Sequence, residues 1–482
     1  MSRSAWNLGV GGFAAAALVC AGLPGTQARA ETLEAALVQA YQNNPTLNAQ
    51  RASLRATDEG VSQALSGYRP RVTVTASGGQ QWLSQTTRTN NGTTGLSALL
   101  GLPPVSYSKQ SGFEGPYSAG ITATQTLFNG FQTANKTRQA EAQVLAARAT
   151  LQSAEQTVLL NAVTAYMNLL RDTAILDLQR RNVEVLQDQL RQTRDRFNVG
   201  EVTRTDVAQS ESSLAGGRSQ VLLAQANYTA SAATYRQVIG NAPGKLTPAT
   251  PVDRFSPQNL PTAIGSASAT HPAVTTAEFN VDVAQQQVKV AEGALYPTLS
   301  VQGAYQKNYM STTSLSTIES YSGSVLGFLS VPIYQGGTEY SQIRQAKETF
   351  GQRRLELDSA RAQVRQTTVQ SWGQLEAAKA NIEATNAQVQ AAEIALNGIR
   401  EEARVGQRTT FDVLTAQQTL VNARVSLVTA QRDRVVASYT LLAAVGRLSP
   451  QMLGLHVPVY NPTVHYEQVR DSWFGVRTPD GR

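Results

Sequence analysis

Asp206 and Asp412 hold one position in two copies of a motif, Val199-Gly200-Glu201-Val202-Thr203-Arg204-Thr205-Asp206-Val207 and Val405-Gly406-Gln407-Arg408-Thr409-Thr410-Phe411-Asp412-Val413, 206 residues apart. Each aspartate begins an amphipathic run, so it can cap that helix, and each has an arginine nearby, Arg204 or Arg408, for charge pairing. Little else could do chemistry. His271, His456 and His465 are far apart with no cysteine or acidic cluster, which argues against a metal. There is no nucleophile-base pair, phosphate loop or pair of carboxylates in a cleft. An enzyme is therefore the remotest reading, and no cofactor is expected.

The motif belongs to a longer repeat. Leu127-Phe128-Asn129-Gly130 matches Ile333-Tyr334-Gln335-Gly336 at the same offset of 206, whereas Asn44-Pro45-Thr46-Leu47 matches His271-Pro272-Ala273-Val274, and Pro70 matches Pro297, at 227. Two homologous halves thus differ by a 21-residue insertion between Pro70 and Phe128. The expected division is a signal peptide (1–30), a first repeat (31–246), a linker or equatorial segment (247–262), a second repeat (263–453) and a C-terminal tail (454–482).

Arg3, an apolar stretch around Phe13 to Cys20 and Ala28-Arg29-Ala30 form the leader pattern, so the mature chain is expected to start at Glu31. Lipidation at Cys20 is disfavoured because Val19 and Ala17 stand where a small residue and a leucine belong. Removing the leader takes two arginines and lowers the net charge from +7 to +5. That charge is scattered along amphipathic runs, so nucleic acid is not an expected partner. No later stretch approaches the roughly 18 to 20 apolar residues of a spanning helix. An exported chain of this kind is either soluble or crosses the outer membrane as a β-barrel.

Within each half, helical periodicity comes first, from Thr32 to Leu65 with a break at Asn44-Pro45, and from Ile264 to Ala294 with a break at His271-Pro272. After each following proline the period becomes two. Val72, Val74 and Ala76 alternate with Thr73, Thr75 and Ser77, and Leu299, Val301 and Gly303 with Ser300, Gln302 and Ala304. Second strands are expected at Tyr117 to Leu127 and Tyr321 to Val331, the latter with Leu326 and Phe328 on its polar face. Leu83 to Pro116 and Gln306 to Ser320, rich in Gly, Ser, Thr and Asn, read as exposed hairpin loops. Aromatics such as Trp82, Tyr117, Tyr309 and Tyr321 gather at the strand ends, as lipid-interface girdles do and as the core of a soluble sheet also could.

Gly130 to Phe197 and Gly336 to Ala403 are proline-free runs of 68 residues each. As helices each would extend roughly 100 Å. Leu145, Leu151, Val158, Val163, Leu169 and Leu176 keep heptad-like spacing, so the helices are expected to pack as coiled coils. Each ends at a Val-Gly, and Asp206 to Ile239 and Asp412 to Val445 return antiparallel.

This order, with Pro332-Ile333-Tyr334-Gln335-Gly336-Gly337 and the two Val-Gly tips, resembles the TolC family of outer-membrane efflux and secretion channels over about Thr32 to Leu453. The resemblance implies an α+β membrane protein with internal duplication: a trimeric outer-membrane β-barrel, four strands per protomer, continued by a long periplasmic α-helical coiled-coil barrel. Four strands cannot close alone, which fits a homotrimer. The implied function is a passive exit duct in outer-membrane lipid, opened at its periplasmic end by a periplasmic adaptor (membrane fusion) protein and an inner-membrane ABC or RND pump. It further implies a periplasmic gate in which Arg408 is the constricting arginine, Asp206 the acid that bonds it from the neighbouring hairpin, Gln189 a further polar link and Asp412 the acid lining the entrance. Three Asp412 carboxylates about one axis would attract cations and raise one another's pKa. Ala403 and Thr415 stand where the family has a locking tyrosine and a second entrance acid, so the gate is expected to be less tightly held. Capping alone remains an alternative for both aspartates. The tips Val199, Gly200, Val405 and Gly406 would dock the adaptor. The competing reading is a structural coiled-coil protein, a periplasmic adaptor or surface adhesin.

Overall fold

The computed structural model describes residues 31–90, 99–101, 105–311, 317–479 and 481, so the expected leader and Cys20 lie outside the described residues. The first half runs α1 (Leu33–Asn43), α2 (Pro45–Leu65), β1 (Arg71–Gly78), β2 (Gln81–Asn90), β3 (Val105–Asn129), α3 (Gln132–Asn198) and α4 (Arg204–Ile239). The second runs α5 (Leu260–Thr270), α6 (Pro272–Glu292), β4 (Thr298–Ser311), β5 (Thr317–Ser330), α7 (Thr338–Arg404) and α8 (Thr410–Ala444), and α9 (Pro462–Val469) follows. Equivalent helices have equal lengths: 11 residues in α1 and α5, 21 in α2 and α6, 67 in α3 and α7.

The same local chemistry sets equivalent boundaries. Asn44 caps α2 by accepting from Thr46 N and Leu47 N, and His271, its counterpart, caps α6 by accepting at Nδ1 from Ala273 N. In both helices proline follows at the first position, where it forfeits no helical hydrogen bond.

β1 and β2 pair with β3 in one unbroken antiparallel register, from Arg71 opposite Thr124 to Asn90 opposite Val105. They are a single long strand interrupted at 79–80. The loop reading of Leu83 to Pro116 is thereby corrected, since Gln81–Asn90 and the start of β3 form a ladder, and only 91–104 joins them. Most of Gln306 to Ser320 likewise belongs to β4 and β5. The sheet order is β1, β3, β4, β5, with β2 extending the first strand, so β1 and β5 are free edges.

Cross-strand register sorts the faces. Val72, Ala123, Gly303 and Val325 lie in one row and Val74, Ile121 and Tyr305 in the next, whereas Thr75, Gly120, Gln306 and Ser322 share the opposite face. Leu326 and Phe328 do fall on the polar face, opposite Gln302 and Ser300. The apolar face is bare in one chain, Val74 being 75% and Val325 78% exposed. Trp82 packs edge-on against Phe113 at 5.0 Å, on the same face as Val72 and Val74. It stands roughly ten residues past the start of β1, about what a tilted strand needs to cross the hydrocarbon.

Among the described residues no helix is long and apolar enough to cross a membrane. The helices instead pack side by side, and their largest core lies at mid-height, where Leu37, Leu159, Val163, Tyr166, Tyr235, Ile239, Tyr439 and Leu442 meet. The Tyr166 hydroxyl lies 2.8 Å from Glu31 O and 2.7 Å from Thr247 O, tying the 245–255 segment to α3. Trp372, the counterpart of Tyr166, packs on Ala263, Leu375 and Leu441. One seam residue departs from expectation: Leu145 is 39% exposed, because the inward position seven residues before Leu151 is taken by its neighbour Val144, which is 2% exposed.

The halves meet tightly at the start of α3. Gly130 has φ +64°, and a Cβ there would lie 2.2 Å from Gly293 O; a Cβ on Gly293 would stand 3.7 Å from the Gln132 Cβ. The counterparts on the outer edges are uncovered: Gly336 has nothing within 4 Å, and Ser66 and Thr338 are exposed. Ala149 is 4% exposed in α3, whereas its counterpart Leu355 in α7 is 71% exposed.

Candidate functional site at the helix tips

Both long helices end in the same turn. Gly406 (φ +80°) donates to Ala403 O and Gln407 N donates to Glu402 O, and Gly200 (φ +84°) with Glu201 repeats this on Phe197 O and Arg196 O. These paired bonds satisfy carbonyls that the helix end would leave open. Val199 and Val405 are thereby held outward, 73% and 71% exposed.

The returning helices begin with reciprocal capping boxes. Asp206 Oδ2 accepts from Thr203 N at 2.9 Å and Oγ1 at 2.7 Å, Asp412 Oδ2 from Thr409 N at 3.0 Å and Oγ1 at 2.9 Å, and each aspartate N–H returns a bond to the threonine hydroxyl. Both aspartates are therefore caps. These two bonds, with the charge of Arg408, hold the Asp412 carboxyl below the usual carboxylate range. That direction opposes the rise expected from a ring, which acts only between copies. Its contribution to stability is thus present above the unfolded carboxyl pKa of about 4 and is lost as pH falls through the lower folded value.

Arg408 bonds Glu402 Oε2 at 2.8 Å, both side chains being about half exposed. The Glu402 hydrogen bond, then its charge and that of Asp412, push the guanidinium pKa up. Within one chain Arg408 does not bond Asp206. At the first tip the charges are exchanged, Arg196 bonding Glu201 at 3.0 Å. Gln189 is half-buried on α3, and its side-chain amide bonds to none of the described residues. Thr415 donates to Phe411 O in its own helix.

Above the tips the hairpins are joined by residues that sequence reasoning missed. Gln417 Nε2 donates to Asn182 Oδ1 at 3.2 Å, and Arg400 Nη2 donates to Gln417 Oε1 at 2.9 Å, linking α3, α7 and α8. Beside this clasp Leu414 of the second hairpin enters an apolar knot with Leu186, Leu190 and Leu214 of the first. Of the Gly216-Gly217 pair, only Gly217 is in close approach, a Cβ there lying 2.9 Å from Leu186 Cδ1.

A four-stranded sheet with one apolar face, continued by two 67-residue helices that end in polar tips, defines an outer-membrane channel protein with a periplasmic extension. The family model described as outer membrane efflux protein matches residues 36–241 and 263–447, and the chain belongs to that family. The outer membrane efflux protein BepC of Brucella suis is 41% identical over 479 residues, 97% of either chain. The outer membrane protein TolC of Escherichia coli is 28% identical over 438 residues, 88% of this chain and 84% of that one. The solved outer membrane channel CmeC of Campylobacter jejuni superposes with a TM-score of 0.70 at 16% identity, covering 91% of this chain and 89% of that one. Family members are channels, and the enzyme and adhesin readings have no support from these relatives.

Proposed function

We propose that three copies of this chain form one passive exit duct of a tripartite efflux or type I secretion system, opened at the tips by a periplasmic adaptor and an inner-membrane ABC or RND pump. The observation that carries the trimer is the unequal cover of equivalent surfaces. Inside one chain α3 packs on α6 through Gly130 and Gly293, and the repeat has the same surfaces on α7 and α2, left bare around Gly336 and Ser66. A neighbouring copy repeating the internal half-to-half contact covers them and at the same time pairs the free edges β1 and β5.

The gate reading assigns Arg408 two alternative partners. Glu402 holds it within its own hairpin, and Asp206 of the adjoining hairpin takes it in the closed ring, with Gln189 as a further link. Asp412, one carboxylate oxygen bonded in the cap, presents the other to the entrance. The exposed valines at Val199 and Val405, beside the rigid Gly200 and Gly406 turns, offer the adaptor an apolar point on each tip.

Cysteines at Glu201 and Gln407, the residues next to the tip glycines, test this reading in cells. Cross-linking is expected to capture one periplasmic adaptor at both positions. Capture at neither, with the protein normally present in the outer membrane, would contradict the duct reading.

A further inference from the structure

The C-terminal segment is fixed along the outside of the helices as a strap. Tyr460 N donates to Tyr41 Oη, and the Arg51 guanidinium lies 4.5 Å from the Tyr41 ring centre and 5.4 Å from that of Tyr460. Further along, His465 Nδ1 lies 3.0 Å from Oδ2 of the fully buried Asp58, and Tyr466 packs beside Val61, Ala140 and Val144 under Arg148. The strap ends where Ser472 O accepts from Arg69 Nη1 at 2.6 Å and from Ser62 Oγ, with the Arg69 guanidinium 4.8 Å from the Trp473 ring centre. Arg69 is two residues before β1, so these contacts set the height of Trp473 at the junction of helices and sheet.

What the strap delivers there is apolar and uncovered. Trp473 is 59% exposed, Phe474 90% and Val476 fully, close to the exposed Tyr68 and followed by Arg477. Tryptophan and tyrosine favour the headgroup level of a bilayer, and arginine beside them can reach phosphate while its stem lies along apolar surface. We propose that Trp473, Phe474 and Val476 form an anchor in the periplasmic leaflet of the outer membrane, fastening the strap, and through it α2, to the lipid around the barrel base. The partner is a phospholipid surface, because the patch lies at the level where the apolar face of the sheet begins. The inference uses the outer-membrane position only and does not depend on the adaptor or the gate.

The full chain with Trp6, Trp82 and Trp372 replaced by Phe leaves Trp473 as the sole tryptophan. In phosphatidylethanolamine vesicles with which the protein co-floats, bromine atoms near the headgroup end of the acyl chains are expected to at least halve its fluorescence. Equal fluorescence in brominated and plain vesicles would overturn the anchor. Blue-shifted emission without quenching would overturn it too, placing the patch against protein, such as a neighbouring copy.

Discussion

Arg408→Ser is expected to raise single-channel conductance in planar bilayers several-fold over the parent channel. The Arg408 side chain is neither a cap nor buried, and its bond to Glu402 is an exposed ion pair of the kind worth about 1 kcal/mol or less. The helix tip itself does not need it: the capping box of Thr409 and Asp412 and the glycine turn hold the backbone without any arginine. Removing it therefore leaves the protomer folded and takes away the group that, in the proposed gate, joins adjoining hairpins. If the proposed gate holds, Ala403, where the family resemblance implies a locking tyrosine, leaves fewer other links, so the effect of one substitution is expected to be large. Unchanged conductance would remove Arg408 from the gate and leave Asp206 and Asp412 as caps only.

Gly130→Ala and Gly336→Ala are expected to lower the dissociation temperature of the assembled protein by similar, large amounts. Both glycines have positive φ, +64° and +71°, where a side chain costs about 1–2 kcal/mol. At Gly130 a Cβ also collides with Gly293 O, which must shift or separate the two halves. At Gly336 a single chain offers no such obstacle, so Gly336→Ala should cost only the backbone term unless a second copy packs there. Equal losses, read as the temperature at which the oligomer falls apart on a gel, are the expected result. A much smaller loss at Gly336 would mean that no neighbour repeats the internal contact.

The helices were legible because their punctuation is local: Asn44-Pro45, His271-Pro272 and the Val-Gly tips announce boundaries within a few residues, and the expected long helices fall within two residues of α3 and α7. The outer part of the first hairpin was not legible. In β2 the residues Ser84, Thr86 and Arg88 that follow Trp82 on the apolar face are polar, so the alternation that marks a strand at a lipid face is lost there, and only Val105 and Tyr107 of β3 keep a trace of it. Only the register with the lower strand reveals it. At the tips, the aspartates and glycines could be found from the repeat, whereas Glu402 reaches Arg408 only across a turn, and Asn182 meets Gln417 from 235 residues away. His465 carried no signal because its partner, Asp58, is 407 residues distant.

The assembly is tested most directly by a disulfide between copies in a mature chain expected to hold no other cysteine. Ser66→Cys with Thr338→Cys are the repeat counterparts of Gly293 and Gln132, whose 3.7 Å Cβ separation lies within the range a disulfide spans. Oxidation of outer membranes carrying this variant should give covalent dimers and trimers, with the ladder ending at three. Monomers only, or a ladder that continues beyond three, would contradict the trimeric duct.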